Sequence, residues 1–274
     1  MFWGSKKSNH FSIDMDCVNL RNKKWVYPLI IIKKILSKLI QNTGYEIRRL
    51  PWRSENHKNV YFQIKRLLSN ESKPVIFDVG AHTGEMSKRF RKILPNADIY
   101  AFEPIPECYN QLKKVFNQDQ YLYPYSFAIS DKFEEKEFFI NHNLGSSSLL
   151  PSLSKGKIAW ENRALETVST TTVQCQTLDN FCLENNIENI NLLKLDIQGA
   201  ELNALHGAKR LLINGGISII YTEISIYQSY KSQGEFHRIL SLLHEYNFEL
   251  FNIYKAIHRS GRLMEIDVMF VKND

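Results

Sequence analysis

The spacing of apolar residues changes along the chain, from helical near the N-terminus to short buried runs farther on. Between Leu29 and Gln41 the apolar positions share one face of a helix, and lysines occupy the opposite face. A second helix is predicted from Val60 to Leu68. The pattern therefore predicts a helical extension ahead of the first strand.

From residue 75 onward, short apolar runs alternate with amphipathic segments, as in α/β proteins with a parallel sheet. The predicted strands are Val75–Val79, Ile99–Phe102, Tyr121–Ile129, Leu192–Ile197 and Ile217–Glu223, followed by the antiparallel pair Phe248–Tyr254 and Leu263–Val271. The predicted helices between them are Glu85–Leu94, Pro106–Phe116, Ala200–Leu212 and Glu235–Tyr246. We therefore expect an α/β fold with a doubly wound, Rossmann-like sheet and a C-terminal antiparallel strand pair.

The alternation is interrupted between Asp131 and Ile190. This interval contains predicted strands at Lys136–Ile140 and Thr170–Gln176, and a serine-rich stretch from Gly145 to Ser154. An insertion of this length either shapes a substrate site or decorates the surface.

Positive charge is concentrated in the N-terminal extension. Residues 1–73 hold 15 Lys and Arg against 5 Asp and Glu, whereas residues 74–274 hold 20 against 24. We therefore divide the chain into a basic extension, 1–73, and a domain, 74–274, with the insertion at 131–190. Enzymes that act on nucleic acids carry positive charge around the active site, so this distribution argues against a nucleic-acid acceptor.

Composition and cysteine usage indicate a protein of a reducing compartment. Hydrophobic residues make up 43% and charged residues 23%, which is ordinary for a globular protein. Cys17, Cys108, Cys175 and Cys182 form no CxxC pair, and we expect buried thiols. The first 24 residues lack the apolar segment of a signal peptide, and Trp25–Ile32 is shorter than the ~20 residues of a membrane span. We expect a cytoplasmic location.

The first strand leads into a glycine-containing loop that predicts a cofactor site. Glycine lets the backbone turn sharply beside a ligand, and the next helix presents free N–H groups to an anion. The dinucleotide pattern is G-x-G-x-x-G, whereas here His82 stands between Gly80 and Gly84, and Asp78 would repel a pyrophosphate. Glu103 ends the second strand, where a carboxylate accepts ribose hydroxyls. The loop favours S-adenosylmethionine, and an NAD-dependent oxidoreductase is the alternative.

With these motifs in view, the sequence resembles the FkbM-type methyltransferase family. The matching stretches are FDVGAHTG (77–84), AFEPIP (101–106), AISD (128–131), GSSSL (145–149), TLDNF (177–181), LLKLDIQGAELNALHGA (192–208) and YTE (221–223). The resemblance implies a class I methyltransferase fold, S-adenosylmethionine as the methyl donor, and O-methylation of sugars or secondary metabolites. Family members commonly have Glu where Gln198 stands.

Three residues are candidates for the proton transfer that activates an acceptor hydroxyl: Asp196, Glu223 and His82. Asp196 and Glu223 each end a predicted strand, where doubly wound sheets bind ligands. The alternatives are a cofactor contact for His82 and a divalent cation held by the two carboxylates, although two ligands are weak evidence for a metal. We predict no metal.

The predicted cofactor-binding residues are Asp78, Gly80, Ala81, His82, Gly84, Glu103, Pro104, Phe127, Ala128 and Asp196. Phe127 either lines the adenine pocket or packs in the core, and Trp160 either stacks on a sugar or packs. A binding module that holds the cofactor without turnover is a further alternative, which the presence of Asp196 and Glu223 disfavours.

The helix at 29–41 offers a final hypothesis. Its apolar face and lysines suit a peripheral contact with an anionic membrane surface. The alternative is that the same face packs against the catalytic domain or a second subunit, which would make the protein a homo-oligomer.

Overall fold

The computed structural model describes residues 59–160 and 163–273. The helix predicted at 29–41 lies outside these residues. The strands are β1 Val75–Val79, β2 Asp98–Phe102, β3 Leu122–Tyr125, β4 Ala128–Ile129, β5 Glu134–Asn141, β6 Thr167–Gln176, β7 Ile190–Leu195, β8 Ile217–Ser225, β9 Phe248–Arg259 and β10 Arg262–Lys272. The helices are α1 Val60–Leu67, α2 Glu85–Ile93, α3 Pro106–Val115, α4 Ser154–Ala159, α5 Leu178–Glu184, α6 Glu201–His206, α7 Lys209–Ile213 and α8 Phe236–Glu245.

Seven strands form the main sheet in the order β3-β2-β1-β7-β8-β10-β9. The first five are parallel, and β10 runs antiparallel to both β8 and β9. This arrangement confirms the predicted α/β fold and its C-terminal antiparallel pair. Because the chain moves outward from β1 in both directions, the carboxyl ends of β1 and β7 border the crevice where such sheets bind ligands.

Helices cover both faces of this sheet. Because successive side chains of a strand point to opposite faces, neighbouring residues of one strand pack in different layers. Ile76 of β1 packs in the layer with Ile64 of α1 and Phe90 of α2. The next residue, Phe77, packs in the opposite layer with Phe181 of α5. Strand β1 is therefore buried on both faces, which explains why four of its five residues are apolar.

The strand predicted at Tyr121–Ile129 is wrong as a single element. Leu122–Tyr125 pairs with β2 in the main sheet, whereas Ala128 and Ile129 pair with β6 in a second sheet of order β4-β6-β5. The insertion supplies the other two strands of that second sheet, β5 and β6. The chain therefore changes sheets at Ser126 and Phe127, directly beside the crevice.

The helix predicted at Ala200–Leu212 is also wrong as one element, because it breaks at Gly207. A Cβ on Gly207 would lie 2.1 Å from the Ser130 carbonyl oxygen, so this residue packs directly against the backbone after β4. The Asp179 carboxylate then accepts hydrogen bonds from the N–H groups of Arg210 and Leu211 at 2.7 and 3.0 Å. A side chain 31 residues away thus caps α7.

Two short helices, α4 and α5, were not predicted. Thr177 caps α5 by accepting a hydrogen bond from Asn180 N at 3.1 Å, and Phe181 carries the helix into the core. The described cysteines, Cys108, Cys175 and Cys182, are buried free thiols, as predicted. Within the described part of the chain, the helices are all too short or too polar to cross a membrane.

Candidate active site

A cavity of about 260 Å³ opens at the carboxyl ends of β1, β2 and β7. Eight predicted site residues line it: Gly80, Ala81, His82, Glu103, Pro104, Phe127, Ala128 and Asp196. Asp78, Gly84 and Glu223 do not line it, but each contacts a residue that does. Asp78 contacts Lys194, Gly84 contacts Ala81, and Glu223 contacts Gln198. Ile105, Leu144 and Leu149 also line the cavity, although the sequence did not predict a ligand contact at any of them.

The glycine loop is held close to the loop that follows β7. Gly80 has a φ of +76°, and a Cβ there would lie 2.0 Å from the Asp196 carbonyl oxygen. The N–H groups of Gly80 and Ala81 both donate to the Phe102 carbonyl at 3.0 Å. Gly84 has a φ of +85° and precedes the first turn of α2. These positions exclude a side chain at Gly80 and fix the loop against both neighbouring strands.

Glu103 is fixed at the end of β2 by two backbone hydrogen bonds. Its Oε2 accepts from His82 N and its Oε1 from Ile105 N, each at 2.8 Å. The residue is only 4% exposed. Burial raises its pKa to about 7, although the two backbone donors act in the opposite direction.

Asp78 and Lys194 form a buried ion pair beneath the loop. They are cross-strand neighbours in β1 and β7, and Asp78 Oδ1 lies 3.0 Å from Lys194 Nζ. Ser87 donates to Asp78 Oδ2 at 2.6 Å, and Lys194 donates to the Gly80 carbonyl at 2.8 Å. Burial alone would lower the pKa of Lys194, but attraction to Asp78 and Asp196 outweighs it and raises the pKa. Lys194 therefore stays charged and ties the glycine loop to the sheet.

Asp196 and Glu223 are joined by the side-chain amide of Gln198. Its Nε2 donates to Asp196 Oδ1 at 3.0 Å and to Glu223 Oε1 at 2.8 Å. Its Oε1 accepts from the hydroxyl of buried Tyr230 at 2.9 Å. Asp196 Oδ2 lies 3.7 Å from Lys194 Nζ. The two predicted carboxylates thus belong to one hydrogen-bonded group, with Gln198 at its centre.

Glu223 is less accessible than Asp196. Its Oε2 lies 3.4 Å from Lys255 Nζ on β9. Burial raises the pKa of Glu223 well above its ordinary value, and repulsion from Asp196 and Glu265 adds to this, whereas Lys255 opposes it. Glu223 reaches the cavity through Gln198 rather than by its own side chain.

Glu201 shapes the loop that carries Asp196 and Gln198. Its Oε1 accepts from Ile197 N at 3.0 Å and from Gly199 N at 3.2 Å. The side chain is buried, and burial raises its pKa to about 7. The Glu201 carboxylate therefore holds the backbone of this loop.

His82 has a left-handed backbone, with φ of +50°, at the rim of the cavity. Its Nδ1 lies 3.4 Å from Thr83 Oγ1, whereas its buried Nε2 has no hydrogen-bond partner within the described residues. Burial lowers the pKa of His82, and the nearby Lys194 cation contributes in the same direction. A neutral imidazole with one unsatisfied nitrogen suits a contact with a bound ligand.

Phe127, for which the sequence left open the adenine pocket or the core, both borders the cavity and packs in the core. Phe127 lines the cavity and packs against Phe102, Tyr125 and Phe181, with ring centroids 5.6 to 6.0 Å apart. The serines of the insertion instead bond to the protein, since Ser148 Oγ donates to the Gln198 carbonyl at 2.9 Å. Among residues 59–160 and 163–273, no group of three His, Cys, Asp or Glu is arranged to hold a metal ion.

Comparison with known proteins decides between the cofactor classes. Residues 78–250 match the model of the methyltransferase FkbM domain. The chain belongs to the FkbM methyltransferase family. It is therefore an S-adenosylmethionine-dependent methyltransferase, with the class I arrangement of its sheet, and the oxidoreductase alternative is set aside.

Two relatives carry the names of methyltransferases. The chain is 29% identical over 192 residues to the 2-O-methyltransferase NoeI of Sinorhizobium fredii, covering 67% of this chain and 76% of NoeI. It is 30% identical over 168 residues to the methyltransferase sdnD of Sordaria araneosa, covering 53% of this chain and 63% of sdnD. Among solved structures, magnesium protoporphyrin IX methyltransferase from Synechocystis PCC 6803 with bound S-adenosylmethionine aligns with 88% of this chain and 97% of its own, at a TM-score of 0.43 and 10% identity.

Proposed function

We propose that this enzyme methylates a hydroxyl oxygen of a sugar, a glycan or a secondary metabolite, with Asp196 as the base that takes the hydroxyl proton. The observation that carries the proposal is the position of Asp196, directly after β7, lining the cavity and held by Gln198. The name of NoeI, a 2-O-methyltransferase, supports oxygen as the acceptor atom.

The residues around the cavity suit S-adenosylmethionine, which when bound supplies an electrophilic methyl group on sulfur. Glu103 keeps unused lone pairs on both carboxylate oxygens after accepting its two backbone bonds, so it can accept the ribose hydroxyls. Phe127 and Ala128 would face the adenine, and the loop at Gly80 would approach the methionine part. Asp78 acts indirectly in this proposal, because it is fully buried and holds Lys194.

Asp196 is the best placed of the three proposed bases. Gln198 fixes its Oδ1, and Lys194 stabilises its negative charge from 3.7 Å. A carboxylate held in this way can accept the hydroxyl proton as the oxygen bonds to carbon. Glu223 positions Gln198 and thereby Asp196, and His82 completes the wall on the cofactor side.

Asp196→Asn tests this assignment. A screen of glycans, lipid-linked sugars and small hydroxyl compounds with methyl-labelled cofactor first identifies an acceptor for the wild-type enzyme. With that acceptor, loss of the base should lower kcat by about 10²- to 10⁴-fold. Affinity for S-adenosylhomocysteine should change little, because the asparagine oxygen can still accept from Gln198.

Glu107→Gln is the matched control, since Glu107 is an exposed acid in the first turn of α3. It should leave kcat and cofactor affinity unchanged. A near-normal kcat in Asp196→Asn would rule out Asp196 as the base and direct attention to His82.

We also propose that residues 29–41 make a peripheral contact with an anionic membrane, because the sequence predicts a helix there with lysines 33, 34 and 38 opposite its apolar face. Sedimentation with anionic vesicles at low and high salt tests this contact, which deletion of residues 1–41 should abolish. If the deletion instead dissociates a homo-oligomer and the intact chain ignores vesicles, the helix is an assembly element.

A further inference from the structure

A second cavity, of about 120 Å³, lies beside the cofactor cavity. Gly145 and Gln198 line both cavities, so the two spaces meet at the amide that holds Asp196. A methyl acceptor must come within about 3 Å of the reacting carbon, so its site has to border the cofactor cavity. The second cavity satisfies this requirement at Gln198, the residue whose amide bonds to the proposed base.

The two cavities differ in charge. The cofactor cavity is lined by Glu85, Glu103, Lys194 and Asp196, which suits a ligand with charged groups of both signs. The described lining of the second cavity contains no Asp, Glu, Lys or Arg. It offers instead an indole from Trp160, a phenol from Tyr230, and the amides of Asn143 and Gln198. Such a lining suits a neutral ligand that carries hydroxyl groups.

Trp160 is held in place by contacts with its edge and with one face. Its Nε1 donates to Ser229 Oγ at 3.0 Å, and the guanidinium of Arg259 lies 5.8 Å from the ring centroid. Because the indole N–H is already used, the ring presents carbon surface to the cavity. Ligand hydroxyls would therefore bond elsewhere, and the ring would contact C–H groups.

Tyr230 forms the buried floor of this cavity. Its hydroxyl lies 2.8 Å from the Ser146 carbonyl and 2.9 Å from Gln198 Oε1. The same residue therefore joins the serine-rich stretch of the insertion to the amide at the junction. Ser225, at the end of β8, and Asn143 complete the polar part of the lining.

From this juxtaposition we propose that the second cavity binds the neutral sugar ring whose hydroxyl is methylated, with Trp160 as its apolar wall. A sugar ring combines hydroxyl edges with a C–H face, which matches polar groups on one side and an indole on the other. The ring would place one hydroxyl at Gln198, beside Asp196. The inference rests on the proposed function and adds the location and charge class of the acceptor.

Binding of neutral methyl glycopyranosides tests the inference by saturation-transfer NMR, in the presence of saturating S-adenosylhomocysteine. The wild-type enzyme should transfer saturation to the ring protons of at least one glycoside. Trp160→Ala should weaken that binding at least fivefold, and Trp160→Phe should retain most of it. Affinity for S-adenosylhomocysteine, measured by calorimetry, should be unchanged in both variants. An unchanged affinity shows that the variants are folded.

Phe133→Ala is the matched control, because Phe133 is 68% exposed and lines neither cavity. Two compounds test the chemistry: the methyl glycoside of glucuronic acid, which carries a free carboxylate, tests charge, and cyclohexanol tests the need for several hydroxyl groups. Both should bind more weakly than the neutral glycoside. The inference is overturned if no neutral glycoside binds, if binding is independent of Trp160, or if the uronate or cyclohexanol binds best. If S-adenosylhomocysteine itself fails to bind the wild-type enzyme, the proposed function falls as well, so the two failures are distinguishable.

Discussion

At the scale of single residues, Gln198 shows how one amide organises two acids. Both hydrogens of its Nε2 are used, one by Asp196 and one by Glu223. The Glu common at this position in the family would offer no hydrogen to either carboxylate and would add a third negative charge. Gln198 therefore does more than remove one negative charge. It replaces a side chain that would repel Asp196 and Glu223 with one that donates a hydrogen bond to each.

Glu103 should make the binding of S-adenosylhomocysteine depend on pH. Its pKa is raised to about 7 by burial, so the side chain is largely protonated below that pH. Ribose hydroxyls bond more strongly to the ionised form, so S-adenosylhomocysteine should bind more weakly as the pH falls from 8 to 6. Calorimetry in buffers of different ionisation enthalpy should show proton release on binding near pH 7.

Replacement of Glu103 by alanine should weaken binding at least tenfold at pH 8, because two hydrogen bonds to a charged group are lost, each about 1.5–3 kcal/mol. Glu107→Ala, on the exposed side of the same segment, is the control and should bind normally. An unchanged affinity in a folded Glu103→Ala protein would contradict the ribose assignment.

At the scale of elements, the break between α6 and α7 positions the second sheet. Gly207 has a helical φ of −74°, so its backbone alone would accept any residue. Contact with the Ser130 carbonyl is what requires glycine. The break therefore holds the backbone that follows β4 against α6, the helix after the loop that carries Asp196 and Gln198.

Gly207→Ala should consequently destabilise the protein in spite of alanine's higher helix propensity. Relieving a 2.1 Å approach to a backbone oxygen should cost about 2–3 kcal/mol, which corresponds to a fall in Tm of roughly 4–12 °C for a domain of this size. Differential scanning calorimetry measures the shift.

Gly215→Ala is the control for this comparison. Gly215 has a φ of +69°, but an added Cβ would meet nothing within 4 Å. Only backbone strain of about 1 kcal/mol is then expected. Equal Tm shifts in the two variants would contradict the packing explanation.

At the scale of the whole molecule, buried carboxyl groups make stability depend on pH. Burial raises the pKa of Glu103 and Glu201 from 4.5 to about 7. Burial also raises the pKa of Glu265 and Asp267 on β10. Between pH 4.5 and 7 the folded state keeps protons that the unfolded chain has released, so these groups stabilise the fold at low pH and lose that effect as the pH rises.

We therefore expect the free energy of unfolding to fall between pH 5 and pH 8 in the absence of ligand. Each of the two glutamates contributes on the order of 3 kcal/mol. Urea denaturation at pH 5, 6, 7 and 8 measures the trend. Glu201→Gln should flatten it, because the amide oxygen can still accept from Ile197 and Gly199 without titrating. A free energy that rises over this interval would contradict the assignment.

Local patterns in the sequence predicted the parallel core, the glycine loop and eight of the 23 residues that line the cavity. These features are local, because a buried strand, a turn glycine and a strand-end carboxylate each follow from a few neighbouring residues. Glu103 and Asp196 lie at the cavity for this reason. The division into residues 1–73 and 74–274 stays a prediction.

The tertiary structure alone decided how distant segments meet. The break at Gly207 depends on Ser130, the cap of α7 depends on Asp179, and the second cavity forms where Trp160, Gln198 and Tyr230 converge. Nothing in the local sequence encodes such contacts, because each joins residues that are far apart in the chain and meet only through packing. Within the main sheet, the pairing of β1 with β7 buries Asp78, a predicted cofactor-binding residue, beside Lys194.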